Sequence, residues 1–283
     1  MENRLPTFIC IGAMKCGTTS LYRYLNAHPQ VCMSSPKEPN FFSTEYDRGP
    51  DWYKQCFSEP ARAYGEASVN YTKKHVFGKV PSRMFRLLPN VKLLYIVRDP
   101  IERIISHYTH NCAVTGAEHQ EIDPIDVALL PPNESGYVQT SRYHYQIAQY
   151  LTHYSMENIL LIESERLREM RSEVLAKVFE FIGVDPTVEM QAFQDEHHET
   201  ERKRTWSTLG AFLISTSIGK KVKNGAKFVT PSQWVERVKE TLREDVRKPM
   251  IDAEVEERVR AYLKDDVEKL RQLTGRDFDS WSI

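Results

Sequence analysis

The chain has 283 residues, with 38 Lys plus Arg against 39 Asp plus Glu and a formal net charge of −1, so no charge excess points to nucleic acid or an acidic membrane surface. Hydrophobic residues at 41% and aromatics at 11% supply enough apolar side chain for a core, which excludes general disorder. The longest uncharged stretch, Thr205 to Gly219, is rich in Ser, Thr and Gly and falls short of the roughly 18 to 20 apolar residues of a membrane span, so no transmembrane segment is expected.

Thr7 to Ile11, Thr-Phe-Ile-Cys-Ile, is apolar and β-branched and stops at Gly12, which predicts a buried strand. Leu21, Tyr22 and Leu25 then recur at helical spacing over Ser20 to Asn26, and His28-Pro29 closes that helix because a residue before proline is pushed out of the α region. Short strands are predicted at Val31 to Met33 and near Ala63 to Glu66. Val91 to Val97, Val-Lys-Leu-Leu-Tyr-Ile-Val, has the continuous apolar character of a parallel strand covered on both faces. Arg98 ends it. Asp99 is then the expected N-cap, Pro100 the first helical residue and Glu102 the third residue of a capping box, with Ile101, Ile104, Ile105 and Tyr108 as the buried stripe.

Tyr145 to Tyr154 reads as a helix, Ile159 to Ile162 as a strand, and Ser172 to Ile182 as a helix ended by Gly183. Gln233 to Thr274 is charge-rich with helical periodicity at Val255, Val259, Tyr262, Leu263, Val267 and Leu270, the pattern of amphipathic helices on a core. The alternation predicts an α/β fold: a P-loop-type three-layer arrangement, a central parallel sheet flanked by helices, with a helical C-terminal region. Met1 to Arg4 opens without a signal-peptide pattern, so the expected compartment is the cytoplasm. The five cysteines, Cys10, Cys16, Cys32, Cys56 and Cys112, are scattered without a CxxC pair, which favours reduced thiols over disulfides or structural zinc. His107, His110 and the tandem His197-His198 come without a matching ligand pattern, so no metal is expected.

The chemistry concentrates in Gly12-Ala13-Met14-Lys15-Cys16-Gly17-Thr18-Thr19. Its glycine spacing, between a strand and a helix, is close to a Walker A loop, but Thr18 stands where the Walker lysine belongs and Lys15 lies inside the loop. Consecutive N–H groups at a helix start still cradle an anion. The loop therefore reads as a phosphate nest with a displaced cation.

These residues resemble the 5′-phosphosulfate loop of PAPS-dependent sulfotransferases. Lys37-Glu38-Pro39-Asn40-Phe41-Phe42 is similar to the Glu-Pro-x-Phe-Phe element of the heparan-sulfate-type and related bacterial members, and Ile96-Val97-Arg98 through Ser106-His107-Tyr108 to their 3′-phosphate motif. Arg142-Tyr143 and the strand from Ile159 complete the agreement, and the whole chain, 1–283, is expected to form one sulfotransferase domain. The resemblance implies PAPS as donor and PAP as product. It puts the 5′-phosphate on Lys15, Cys16, Gly17, Thr18, Thr19 and Ser20, and the 3′-phosphate between Arg98 and Ser106.

The resemblance also implies roles. Lys15 would stabilise the charge that develops as the sulfuryl group leaves, and Glu38 would take the proton of the attacking hydroxyl or amine, with His107 in reserve. The implied acceptor is an alcohol, phenol or amine of a small molecule, lipid or glycan, and the neutral overall charge tilts toward a non-polymeric one. Two departures stand out: Ala67 occupies a position where the family often has a second lysine, and its late basic loop has only a loose echo in Lys223 to Lys227. Two other readings compete, a magnesium-dependent P-loop kinase and a nucleotide-binding protein without catalysis.

Overall fold

In a computed structural model, which describes residues 4–117, 123–188, 204–206, 243–245 and 249–283, the apolar runs form a five-stranded parallel sheet. The strands are β1 (Phe8–Gly12), β2 (Val31–Met33), β3 (Ala63–Glu66), β4 (Lys92–Val97) and β5 (Ile159–Glu163), in the order β2-β3-β1-β4-β5. β1, β2 and β3 are buried throughout and β4 from Leu93 to Val97, as parallel strands covered on both faces should be. Register pairs Ile9 with Glu66 on one side of β1 and with Leu93 on the other. Gly65 is required by packing: a Cβ there would lie 2.1 Å from the Phe8 ring.

Helix α1 (Thr18–Ala27) follows β1, buries Leu21, Tyr24 and Leu25, and ends at His28 in extended backbone, as His28-Pro29 requires. Several short helices that periodicity did not reveal line the next segment, including α2 (Gly49–Lys54), α3 (Lys74–Phe77) and α4 (Val80–Leu87). Helix α5 (Pro100–Ala117) follows β4. The helix expected over Tyr145 to Tyr154 instead spans Tyr143–Ala148, and the one ended by Gly183 spans Arg171–Ile182, with Gly183 left-handed at φ 82°.

The chain divides into two compact units. The first, 1–104 with 129–197 and 253–283, contains the sheet. Its C-terminal helix, Ala253–Thr274, buries Val259, Leu263, Val267 and Leu270 of the predicted stripe, together with Asp266, while Val255 and Tyr262 are half-buried. Asp266 accepts the backbone N–H groups of His144 and Tyr145, both at 2.9 Å, and so caps the helix that begins at Tyr143. The second unit, 105–128 with 198–252, holds most of α5, the helix Ile125–Ala128, and an antiparallel pair of strands, Arg204–Trp206 and Arg243–Asp245. Within it the Asp252 N–H donates to Asp126 Oδ1 at 2.9 Å. The predicted basic loop Lys220 to Lys227, and His197-His198, lie outside the described residues. Among the described residues no helix is long and apolar enough to cross a membrane.

Candidate functional site

In an open parallel sheet, ligands bind beyond the carboxyl ends of the strands where the connections diverge. Here the chain leaves β1 toward β2 and β3 on one side, while β4 and β5 lie on the other, so the divergence falls between β1 and β4. The loop after β1 is fixed by backbone geometry. Gly12 has φ 146°, and a Cβ there would lie 2.1 Å from Thr72 Oγ1, which itself donates to the Ile11 carbonyl at 3.1 Å. Ala13 N–H donates to the Ile96 carbonyl of β4 at 2.7 Å, tying the loop to the neighbouring strand. Lys15 sits at φ 71°, a region non-glycine residues occupy at a cost and mostly at functional sites.

Gly17, at φ 104°, precedes α1 without a side-chain cap, and the first turn carries no acidic residue. The first bond of the helix is Leu21 N–H to the Gly17 carbonyl at 3.1 Å, so the N–H groups just before Leu21 have no acceptor inside the helix. Lys15, Cys16, Gly17, Thr18, Thr19 and Ser20 are thus brought together around one uncapped, positive helix end. The Cys16 N–H donates to the Ala13 carbonyl at 3.2 Å. Its side chain turns inward, 3.6 Å from the Tyr143 hydroxyl, and burial pushes its thiol up to about 11.

Tyr143 couples this loop to the end of β4: its hydroxyl, fully buried, donates to the Arg98 carbonyl at 2.8 Å. The Arg98 side chain is 18% exposed and pairs with Glu102 at 3.1 Å. The capping box forms only in half. Asp99 accepts the Glu102 N–H at 2.8 Å as an N-cap should, but Glu102 turns to Arg98, and the Asp99 N–H donates to Glu165 at 3.0 Å instead. Asp99 Oδ2 accepts the Ser282 N–H, so both carboxylate oxygens serve backbone donors.

The expected buried stripe of α5 is also shifted. Ile101 and Ile104 are buried, whereas Ile105 and Tyr108 are half-exposed and Arg103 is fully buried. The Arg103 guanidinium donates to Ser141 Oγ at 2.6 Å, to the Met14 carbonyl of the loop at 3.4 Å and to the Tyr137 carbonyl. Periodicity gave no hint of it, since a buried charged residue contradicts the apolar pattern that marks a helix face. Burial lowers its pKa, yet an arginine there still places positive charge behind the loop.

Glu38 follows β2 on the loop from Ser34, which joins the end of β3 through Ser34 N–H to Gly65 O at 2.8 Å and Ala67 N–H to Lys37 O at 3.2 Å. Its side chain is 33% exposed and accepts from Lys37 Nζ at 2.7 Å. Pro39 and the phenylalanines do fix the loop: Phe41 and Phe42 are buried, and Phe41 stacks on Tyr53 with ring centroids 4.3 Å apart. A second carboxyl lies in this region. Burial pushes Glu66 up to about 7, opposed by hydrogen bonds from Ser68, Tyr53 and Tyr71. Ala67 is fully buried. The nearby cation is Lys73, which forms no ion pair among the described residues; burial, then the Arg103 charge, lower its pKa, and Glu38 opposes them.

Ser106 and His107 lie on α5 within the second compact unit, Ser106 half-buried and His107 buried. Tyr143 belongs to the core, and Tyr108 donates to the Asp123 carbonyl at 2.9 Å. All five cysteines are free thiols.

The model of the sulfotransferase domain matches residues 5–271. The chain belongs to the sulfotransferase family. Among its relatives is human heparan sulfate glucosamine 3-O-sulfotransferase 3B1, 27% identical over 285 residues, covering 98% of this chain and 65% of that protein. Mouse bifunctional heparan sulfate N-deacetylase/N-sulfotransferase 3 is 30% identical over 202 residues, 65% of this chain and 23% of that protein. The chain thus spans less than two thirds of the length of these relatives. The crystal structure of a sulfotransferase from Alicyclobacillus acidocaldarius superposes with a TM-score of 0.69 at 22% identity, covering 99% of each chain, and shares the fold.

Proposed function

We propose that this sulfotransferase-family chain moves the sulfuryl group of PAPS to a hydroxyl or amine acceptor and releases PAP. The observation that carries the reading is the uncapped start of α1 with Lys15 held inside the loop ahead of it. That arrangement suits a phosphate that arrives with its own leaving-group charge. The acceptor oxygen or nitrogen forms the new bond to sulfur, the bridging S–O bond breaks, and its electron pair goes to the departing 5′-phosphate. The N–H groups at the start of α1, from Gly17 to Ser20, hold that phosphate. The Lys15 ammonium meets the charge that grows on it, an interaction stronger in the transition state than before it.

Glu38 is assigned the acceptor's proton, on a loop whose backbone joins the β3 edge beside β1. Arg98, at the end of β4 next to β1, is assigned the 3′-phosphate, which would take the place of Glu102 as its partner. Ser106 is assigned to the same phosphate from the motif alone. We also assign Lys73 as the cation that stands in for the lysine absent at Ala67.

The relatives' names point to glucosamine O- and N-sulfation, while this chain's net charge of −1 lacks the excess that draws an anionic polymer; a small or weakly charged acceptor in the cytoplasm is our reading. Calorimetric titration with PAP and with ATP, each with and without magnesium, on wild type and Arg98→Ala, tests the donor. Magnesium-independent PAP binding that Arg98→Ala weakens by about 10- to 100-fold is expected. Magnesium-dependent ATP binding without PAP binding overturns the reading in favour of a kinase. A screen of PAPS with phenols, alcohols and heparan-type oligosaccharides then sorts the acceptor.

A further inference from the structure

Glu66 ends β3 as a fully buried carboxylate surrounded by hydroxyl donors. Tyr53 from α2 donates to its Oε1 at 2.5 Å, Tyr71 donates to the same oxygen at 2.7 Å, and Ser68 donates to Oε2. Two of these hydroxyls face outward with their lone pairs, and both meet the Glu38 loop. Ser68 Oγ accepts the Asn40 N–H at 3.0 Å, and the Tyr71 hydroxyl accepts the Phe42 N–H at 3.3 Å. The third hydroxyl belongs to the ring on which Phe41 stacks. Asn40, at φ 53°, is held further by Asn70 Nδ2 to its Oδ1 at 3.1 Å and by its own Nδ2 to the Glu38 carbonyl at 3.2 Å.

A hydroxyl donates one proton, so the acceptor it faces decides which way it points. With Glu66 ionised and accepting from Ser68 and Tyr71, their oxygens are left to accept from Asn40 and Phe42. A neutral apolar residue at position 66 would free those hydroxyls to rotate and would loosen both backbone anchors of the loop at once. We propose that Glu66 is a positioning residue: through Ser68, Tyr71 and Tyr53 it orients the Pro39 to Phe42 segment and so fixes Glu38 relative to the phosphate loop of β1. This rests on the assignment of Glu38 above only for its chemical consequence; the anchoring itself does not. Burial of an acid whose pKa rises to about 7 is an expensive way to hold a loop, which is expected where geometry matters to catalysis.

The test uses the full chain and the variants Glu66→Gln, Ser68→Ala and Tyr71→Phe, with PAP as the binding probe and PAPS as substrate, p-nitrophenol and water being the probe acceptors. Amide exchange of the 38–43 segment should accelerate by about tenfold or more in each variant, while β1 and β4 keep their protection and PAP affinity stays within about twofold. PAP release from PAPS should show kcat lowered by about 10- to 100-fold at unchanged KM for PAPS. Unchanged exchange of the segment in Ser68→Ala and Tyr71→Phe overturns the proposal even if Glu66→Gln fails to fold. Loss of sheet protection, or of PAP affinity in parallel with kcat, also overturns it, because it assigns these residues a merely structural role. Failure of wild type to bind PAP overturns the sulfotransferase reading instead, and the exchange measurement still decides the anchoring.

Discussion

The buried Glu66 makes the stability of this protein depend on pH in an unusual direction. Its carboxyl is moved from 4.5 to about 7, with burial as the largest cause, against the hydrogen bonds from Ser68, Tyr53 and Tyr71. Between these values the folded chain keeps a proton that the unfolded chain has lost, so the native state binds more protons and stability falls as pH rises. The contribution is fully present below about pH 4.5 and lost by about pH 7. At about 1.4 kcal/mol per pH unit the shift amounts to about 3 kcal/mol. Replacement by Gln removes the titration and leaves an amide that cannot accept from all three hydroxyls. Urea unfolding of wild type and Glu66→Gln, measured from about pH 5 to about pH 8, reads the difference directly. The gap between the two proteins should narrow by about 3 kcal/mol toward the alkaline end, since only wild type loses stability there. Parallel curves for the two proteins would refute the reasoning and mean that the hydroxyls hold Glu66 ionised throughout.

Three further outcomes are expected. Lys15→Ala should lower kcat for PAPS by about 10²- to 10³-fold while PAP affinity, measured by calorimetry, changes by less than about tenfold, because the backbone nest remains. Gly12→Ala should destabilise the fold by about 3 kcal/mol or more, since the new Cβ would meet Thr72 Oγ1 at 2.1 Å in a backbone with φ 146°; thermal unfolding checks it, and an unchanged midpoint would show that Thr72 gives way freely. Asp266→Ala should cost about 1–3 kcal/mol by stranding the His144 and Tyr145 N–H groups, measured as a lowered unfolding midpoint without loss of PAP affinity.

The sheet was legible because its central strands are buried on both faces: Phe8 to Gly12 and Leu93 to Val97 are unbroken apolar runs, and runs of that kind need no partner to be recognised. The turn after β1 was legible too as a strand-to-helix junction, since its glycines, lysine and hydroxyls are adjacent in sequence. The short helices between Gly49 and Leu87 were not, because elements of four to eight residues carry too little periodicity, and Gly78 and Pro81 read as breakers although Pro81 sits in the first turn of α4. Glu102 shows a local signature losing to its surroundings: the spacing from Asp99 is right for a capping box, yet Arg98 and Glu165 offer better partners. Arg103 and Glu66 are the residues sequence reading missed near the site. Each depends on acceptors or donors contributed by distant segments, Ser141 and Met14 for one, Tyr53 and Tyr71 for the other, and only the tertiary fold assembles them.

The contact of Phe8 with Gly65 has a consequence for how this chain can change. The aromatic ring of one strand occupies the space that a side chain on the adjacent strand would need, so the two positions share a single volume. Enlarging position 65 is blocked while Phe8 is present, and shrinking Phe8 alone leaves a void beside the strand that leads into the Gly12 to Thr19 loop. The substitutions should therefore be far from additive: Gly65→Ala is expected to be tolerated in a Phe8→Leu background and damaging in the wild type, so that the route to a different core at this point passes through one order of mutations and is closed to the other.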